Sequence, residues 1–254
     1  MAKGSKKEVI YGKNIVNEVL SSKRHVYEVL LMEGVLQKDE QMTSLIQKKG
    51  IPYQELQKKK FEQIAKDKYK IRGSHQGVLA FVEPYKYVAL VDLIKKATSK
   101  EEPAFIVVLD GLEDPHNLGA ILRTADAAGV DGIIIREHRS VGLTNTVAKL
   151  STGAIEHVSV ASVTNLTVAL NQLKDAGLWI VGTDALESQD YRTIDAGLPL
   201  ALVIGSEGKG ISRLVREACD FKVHLPMRGH VTSLNASVAA ALLIYEVYNK
   251  RNPY

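Results

Sequence analysis

Apolar positions in the first third of the chain switch between two spacings. Ile15, Val16, Val19 and Leu20 fall on one helical face, which predicts a helix over Gly12 to Ser21. Val26 to Met32 reads as a strand. Gln37 to Lys49 reads as a helix stopped by Gly50. Ile51 to Leu56 is expected to be a short strand, Lys60 to Lys66 a short helix, and Gln76 to Val82 a closing strand. These elements form a small α/β unit over residues 1–85. Val88 to Ala97 reads as a connecting helix. The polar run Thr98 to Pro103 has linker composition, so residues 86–103 are expected to join two domains.

The pattern restarts at Phe105. Strands are expected at 105–110, 132–136, 156–160, 178–183, 200–204 and 221–225, and helices at 117–128, 144–151, 164–175, 211–217 and 235–249. Alternating strands and helices predict a mainly parallel sheet covered on both faces. Ligands of such sheets sit beyond the carboxyl ends of the strands. Two polar turns fall at such ends, Gly205 to Gly210 and Pro226 to Ser233.

Composition changes this picture little. The chain has 254 residues, 45% apolar and 24% charged, as globular proteins do. No apolar run is long enough to span a bilayer, and the N-terminus lacks the apolar core of a secretory signal. Cys219 is the single cysteine, and the seven histidines are scattered. A cytoplasmic protein without a metal centre is the expectation.

Charge is more telling in its distribution. The net value is +4. Residues 1–85 carry 16 Lys+Arg against 10 Asp+Glu, while residues 86–254 carry 17 against 19. The N-terminal third is therefore the candidate contact for a polyanion. Lysines such as Lys58, Lys59 and Lys60 serve either that contact or simple solvation.

The Gly205 to Gly210 turn is neither a phosphate loop nor a dinucleotide fingerprint, because the spacing of both is missing. Three glycines flank Glu207. They allow a tight turn, and close approach of a planar ligand is expected to account for their number. Asn117 stands where a helix cap belongs, with Gly129 just past the same helix. Arg123 lies mid-helix and reads equally as a surface arginine. Ser233 and Asn235 can cap the last helix or face a ligand. Arg228 either touches phosphate or is solvated. Val238, Leu242, Tyr245 and Tyr248 form one face of the last helix.

Three segments in order resemble the signature motifs of the SpoU (TrmH-type) branch of the SPOUT RNA methyltransferases. They are Asn117 with Arg123 six residues on, Gly205 to Gly210, and Ser233 to Ala239. Tyr11-Gly12 and Ser74 to Val78 resemble the opening and closing landmarks of the small substrate-binding domain of many members. The resemblance covers nearly the whole chain. It implies a SPOUT catalytic domain over 104–254 with a C-terminal trefoil knot, a homodimer built partly on the last helix, and S-adenosylmethionine as cofactor. It implies methyl transfer to a ribose 2′-hydroxyl of RNA, in the subgroup acting on a guanosine of 23S ribosomal RNA. Transfer RNA as substrate, and a non-catalytic RNA-binding assembly factor, are the alternatives. The same resemblance assigns Gly205, Leu225 and Leu234 to the cofactor and has Glu207 and Asn235 order the pocket. Arg123 would hold a substrate phosphate and assist proton removal, with Asn117 and Ser233 orienting the ribose or the arginine.

Overall fold

A computed structural model describes residues 7–71, 73–184 and 188–253. The chain divides into two compact units, one reaching Lys86 and one starting at Tyr87.

The first unit runs β1 (Glu8–Tyr11), α1 (Lys13–Ser21), β2 (Val26–Met32), α2 (Glu40–Lys49), β3 (Tyr53–Leu56), α3 (Lys58–Gln63) and β4 (Val78–Val82). Its sheet has the order β1-β4-β2-β3, with β4 antiparallel to both neighbours and β3 parallel to β2. The apolar stripe of α1 explains its seat: Val16, Val19 and Leu20 are buried against Val29, Leu31, Met42 and Ile46. Leu30, Leu56 and Leu79 face the other way, against Phe61 and Ala65. α2 starts three residues later than the expected Gln37, because Asp39 caps it by accepting the Met42 N–H at 3.0 Å. Gly50 ends it at φ 60°. β1 was not legible in the sequence. Four residues with only Ile10 buried are too few to show alternation.

The two N-terminal landmarks meet in space. Gly12, at φ 98°, donates its N–H to the Val78 carbonyl at 3.2 Å, and the Lys13 N–H reaches Gln76 Oε1 at 2.9 Å. A side chain at that φ would strain the junction.

The second unit runs α4 (Leu90–Thr98), β5 (Phe105–Asp110), α5 (Pro115–Ala127), β6 (Gly132–Arg136), α6 (Asn145–Leu150), β7 (Val160–Val163), α7 (Leu166–Asp175), β8 (Trp179–Thr183), β9 (Gln189–Asp190), β10 (Leu200–Gly205), α8 (Arg213–Glu217), β11 (Phe221–His224) and α9 (Ala236–Arg251). α4 falls in the segment with connector composition, yet its Leu93 and Ala97 are buried in this unit's core. The sheet order is β7-β6-β5-β10-β8-β11-β9, and every neighbouring pair is parallel. All residues of β5 and β10 are buried, as continuous apolar runs in a doubly covered sheet require. Ile106, Val108, Ala201 and Val203 pack under α4, α7 and α8. α5 and α9 pack on each other, and α9 also touches β10.

Two expected positions shift. The strand placed at 156–160 lies at Val160–Val163, because Ala154–Glu156 forms a 3-10 turn first. Asn117 does not cap α5. Pro115, with its φ preset for a first turn, starts the helix two residues earlier, and Asp114 accepts the His116 N–H at 2.9 Å. Gly129 does stand past that helix, at φ 68°.

Candidate functional site

β10 lies between β5 and β8, although the chain visits β8 first. The crossovers bring the carboxyl ends of β8, β10 and β11 side by side. Above them opens a cavity of about 460 Å³. Its floor is Ile204 and Gly205, one wall is the turn 206–210, and another is Leu225 with Thr232, Ser233 and Leu234.

The turn is built by its own backbone. Ser206 and Gly210 exchange hydrogen bonds, N–H to carbonyl, at 3.1 and 2.9 Å. A Cβ on Gly205 would lie 2.1 Å from the Gly210 carbonyl carbon and 2.3 Å from the Ile211 nitrogen. Gly208 and Gly210 hold φ of 78° and 66°. Each glycine is therefore needed by the turn itself. Glu207 projects from the turn's exposed edge.

Asn235 joins this turn to α9. Its Oδ1 accepts the Ser237 N–H at 3.0 Å, the Ser237 hydroxyl at 2.6 Å and the Val238 N–H at 3.4 Å. Its Nδ2 donates to Glu207 Oε2 at 3.4 Å. The cap of the helix and the second motif are thus bonded. Gly205, Glu207, Leu225, Ser233 and Leu234 all line the cavity, and Asn235 braces it from behind.

Asn117 and Arg123 are not among the cavity's lining residues. Asn117 is only 6% exposed on the inner side of α5. Six residues carry the helix about 240° round its axis, so Arg123 emerges on the exposed side. The two residues of the first motif do not share a face.

Thr183, Asp184, Arg216 and His224 complete the cavity wall, and no motif in the chain points to them. Arg216 pairs with Asp184 at 2.6 Å, and the His224 ring meets the Ser188 hydroxyl at 3.0 Å. Asp110 is a further residue that sequence reasoning missed. It sits beside Gly205 in register, at the end of an otherwise apolar strand, and is 4% exposed. One oxygen accepts the Ser212 N–H at 2.7 Å, and the other pairs with Arg136 at 3.0 Å. Ser212 follows the glycine turn closely, so Asp110 clamps the turn's far end. The available signal was a lone carboxylate closing a buried strand. Burial pushes the Cys219 thiol up to about 12.

No helix among the described residues is long and apolar enough to cross a membrane. The SpoU rRNA methylase family profile matches residues 104–245, and the profile for RNA 2′-O ribose methyltransferase substrate binding matches residues 9–88. YacO of Bacillus subtilis (strain 168), named as a putative TrmH family tRNA/rRNA methyltransferase, is 54% identical over 247 residues, covering 97% of each chain. Two solved structures share the fold. The SpoU methyltransferase AviRb from Streptomyces viridochromogenes, in complex with AdoMet, superposes with a TM-score of 0.79 at 24% identity, covering 96% of this chain and 90% of its own. An AdoMet-bound rRNA methyltransferase from Sinorhizobium meliloti gives 0.78 at 24% identity, over 98% and 88%.

Proposed function

The chain belongs to the SpoU family of RNA methyltransferases, and on that premise we propose that it methylates the ribose 2′-hydroxyl of a guanosine in large-subunit (23S) ribosomal RNA, with S-adenosylmethionine as methyl donor. The observation that carries this reading is the convergence of Gly205, Leu225 and Leu234 on one cavity at the carboxyl ends of three adjacent strands.

The cavity suits that cofactor. Its size falls in the range of small-ligand sites. Ile204, Leu225, Leu234 and Leu243 offer apolar surface to a flat base, and the turn 206–210 presents backbone groups to its edge. AdoMet also accompanies the two solved structures described above. When bound, the cofactor supplies the methyl group and its sulfur leaves with the bonding electrons. The residues of this chain have the other tasks. They hold the 2′-oxygen in line and shield the reaction. Arg123, on the exposed side of α5, is placed to grip an RNA phosphate and to favour the ionised hydroxyl as its proton departs. Asn117 lies buried on the same helix and would orient that arginine, while Ser233 lines the cavity and would partner the ribose. Glu207 and Asn235 keep the two loops together. This displacement asks for no metal.

Arg123 and the cavity occupy different parts of the unit's surface. A homodimer that brings α5 of one copy to the cavity of the other would complete the site. Val238, Leu242 and Tyr245 leave an exposed apolar stripe along α9 for that contact. Residues 1–85 would select the RNA and residues 104–254 perform the transfer, in the cytoplasm. The trefoil knot belongs to this reading too. Its support is the family to which the chain belongs.

Calorimetric titration of S-adenosylmethionine into the purified chain tests the proposal. Stoichiometric binding is expected. Absence of binding, with RNA present or absent, would instead favour an assembly factor without catalysis. Methyl transfer to tRNA alone would move the substrate to the alternative class.

A further inference from the structure

The first unit holds a second cavity, of about 560 Å³, lined by the segment from Ser22 after α1 into the start of β2 and by Lys49 to Pro52 at the end of α2. Its lining includes Lys23, Arg24, His25 and Lys49 and no Asp or Glu. We propose that this cavity is a nucleotide subsite for the RNA substrate, holding one unpaired base against His25 and its phosphate between Lys23 and Lys49. The proposal rests on the RNA methyltransferase reading and adds a location to it.

The cations in the cavity are not equivalent. Arg24 is committed. It pairs with Glu8 at 2.6 Å, donates to the Glu83 carbonyl at 2.5 Å and stacks 3.6 Å above the Tyr85 ring. Its work is to fix the chain beside the cavity. Lys23 is exposed, and Lys49 reaches across to the Ser22 carbonyl at 2.6 Å. An ammonium has three donors, so Lys49 keeps two for a ligand.

The rings supply the second half of the site. His25 is exposed and meets Tyr27 edge-on, with centroids 4.5 Å apart and planes at 85°. The Lys7 ammonium lies 4.8 Å from the Tyr27 ring. Tyr27 thus props the imidazole and leaves its face open for stacking. Lysines beside an open ring are what single-stranded RNA requires.

The backbone separates a nucleotide from a bare phosphate. Two helices end here, α1 at Ser21 and α2 at Lys49. Their carbonyl ends carry negative partial charge, which repels a lone anion. A nucleotide satisfies both sides. The N–H groups of its base, N3–H in a uracil, can donate to carbonyls while its phosphate meets the lysines. The conspicuous run Lys58, Lys59 and Lys60 lies elsewhere, on α3, which packs on the opposite face of the sheet from α1 and α2.

The test uses the full chain and two probes. One is an oligouridylate of about ten nucleotides, within the span of single-strand sites. The other is polyphosphate of similar charge. Binding of each is followed by fluorescence competition, with circular dichroism and the thermal unfolding of each variant as the check on folding. Lys23→Glu and His25→Ala are each expected to weaken oligouridylate binding about tenfold, and His25→Phe to restore most of it, because a phenyl ring also stacks. His25→Ala should leave polyphosphate binding unchanged. The triple change of Lys58, Lys59 and Lys60 to Ala should cost less than Lys23→Glu alone. Wild-type RNA affinity in His25→Ala, or a larger loss in the triple variant, overturns the subsite and leaves the methyltransferase reading intact. A wild-type chain that binds the cofactor and methylates no RNA overturns the reading beneath it.

Discussion

The Asp110 carboxylate accepts the backbone N–H of Ser212 at 2.7 Å, across more than a hundred residues of chain. The bond ties the end of β5 to the residue that leaves the glycine turn. Arg136 closes the arrangement from β6 at 3.0 Å. Asp110→Ala removes a buried anion and strands both partners. The loss is expected to be about 2–4 kcal/mol, below that of a fully enclosed pair because Arg136 is partly exposed. Asp110→Asn keeps an acceptor for Ser212 and should lose about half as much. Denaturant titration measures both, and cofactor affinity should fall in the same order.

Gly205 leaves no room for a side chain, since the Gly210 backbone occupies the space. Gly205→Ala forces the turn off β10. Overpacking of this kind costs about 1–3 kcal/mol. Because the turn forms a cavity wall, most of that cost should appear as lost S-adenosylmethionine affinity, about tenfold or more by calorimetry. Gly208→Ala strains φ without a steric clash and should weaken binding less.

Much of this was legible in the chain because the physics was local. Continuous apolar runs announced β5 and β10, and a period-3.6 stripe announced α1. Gly50 and Gly129 marked helix ends by the positive φ they supply. What escaped depended on partners distant in sequence. β1 is a strand only because β4 lies beside it. β9, of two residues, exists through its pairing with β11. Asp110, Asp184, Arg216 and His224 gain meaning only when the crossovers set three strand ends together. Asn117, Ser233 and Asn235 all looked like caps; Asn235 does cap α9, whereas Asp114 caps α5 in place of Asn117. The glycines of the turn were legible as necessary, but backbone contacts that no spacing reveals decide why.

The two units should separate in function. A chain starting at Tyr87 retains its own core, built on Ile106, Val108, Ala201 and Val203. It should keep cofactor affinity and lose most RNA affinity, since the positive balance lies in residues 1–85. Binding of the full chain to RNA should fall steeply with salt, while the shorter chain shows a flatter dependence. Equal RNA affinity for the two would contradict the division.

Arg123 is expected to act on turnover alone. Arg123→Ala should reduce methyl transfer about a hundredfold or more, as loss of one group aimed at developing charge does. Affinity for S-adenosylmethionine should stay near the wild-type value, because the residue lies outside the cavity lining. Arg123→Lys should restore little, because an ammonium cannot reproduce the planar fork. Single-turnover assays with saturating cofactor separate the two effects.

The most direct measurement follows the methyl group itself. The purified chain is incubated with methyl-labelled S-adenosylmethionine and unmodified 23S ribosomal RNA, and the RNA is digested to nucleosides and resolved by mass spectrometry. The account predicts label in 2′-O-methylguanosine, at one position, and none with Arg123→Ala. Label on a base, label confined to tRNA offered in the same reaction, or no transfer by a chain that binds the cofactor would contradict it.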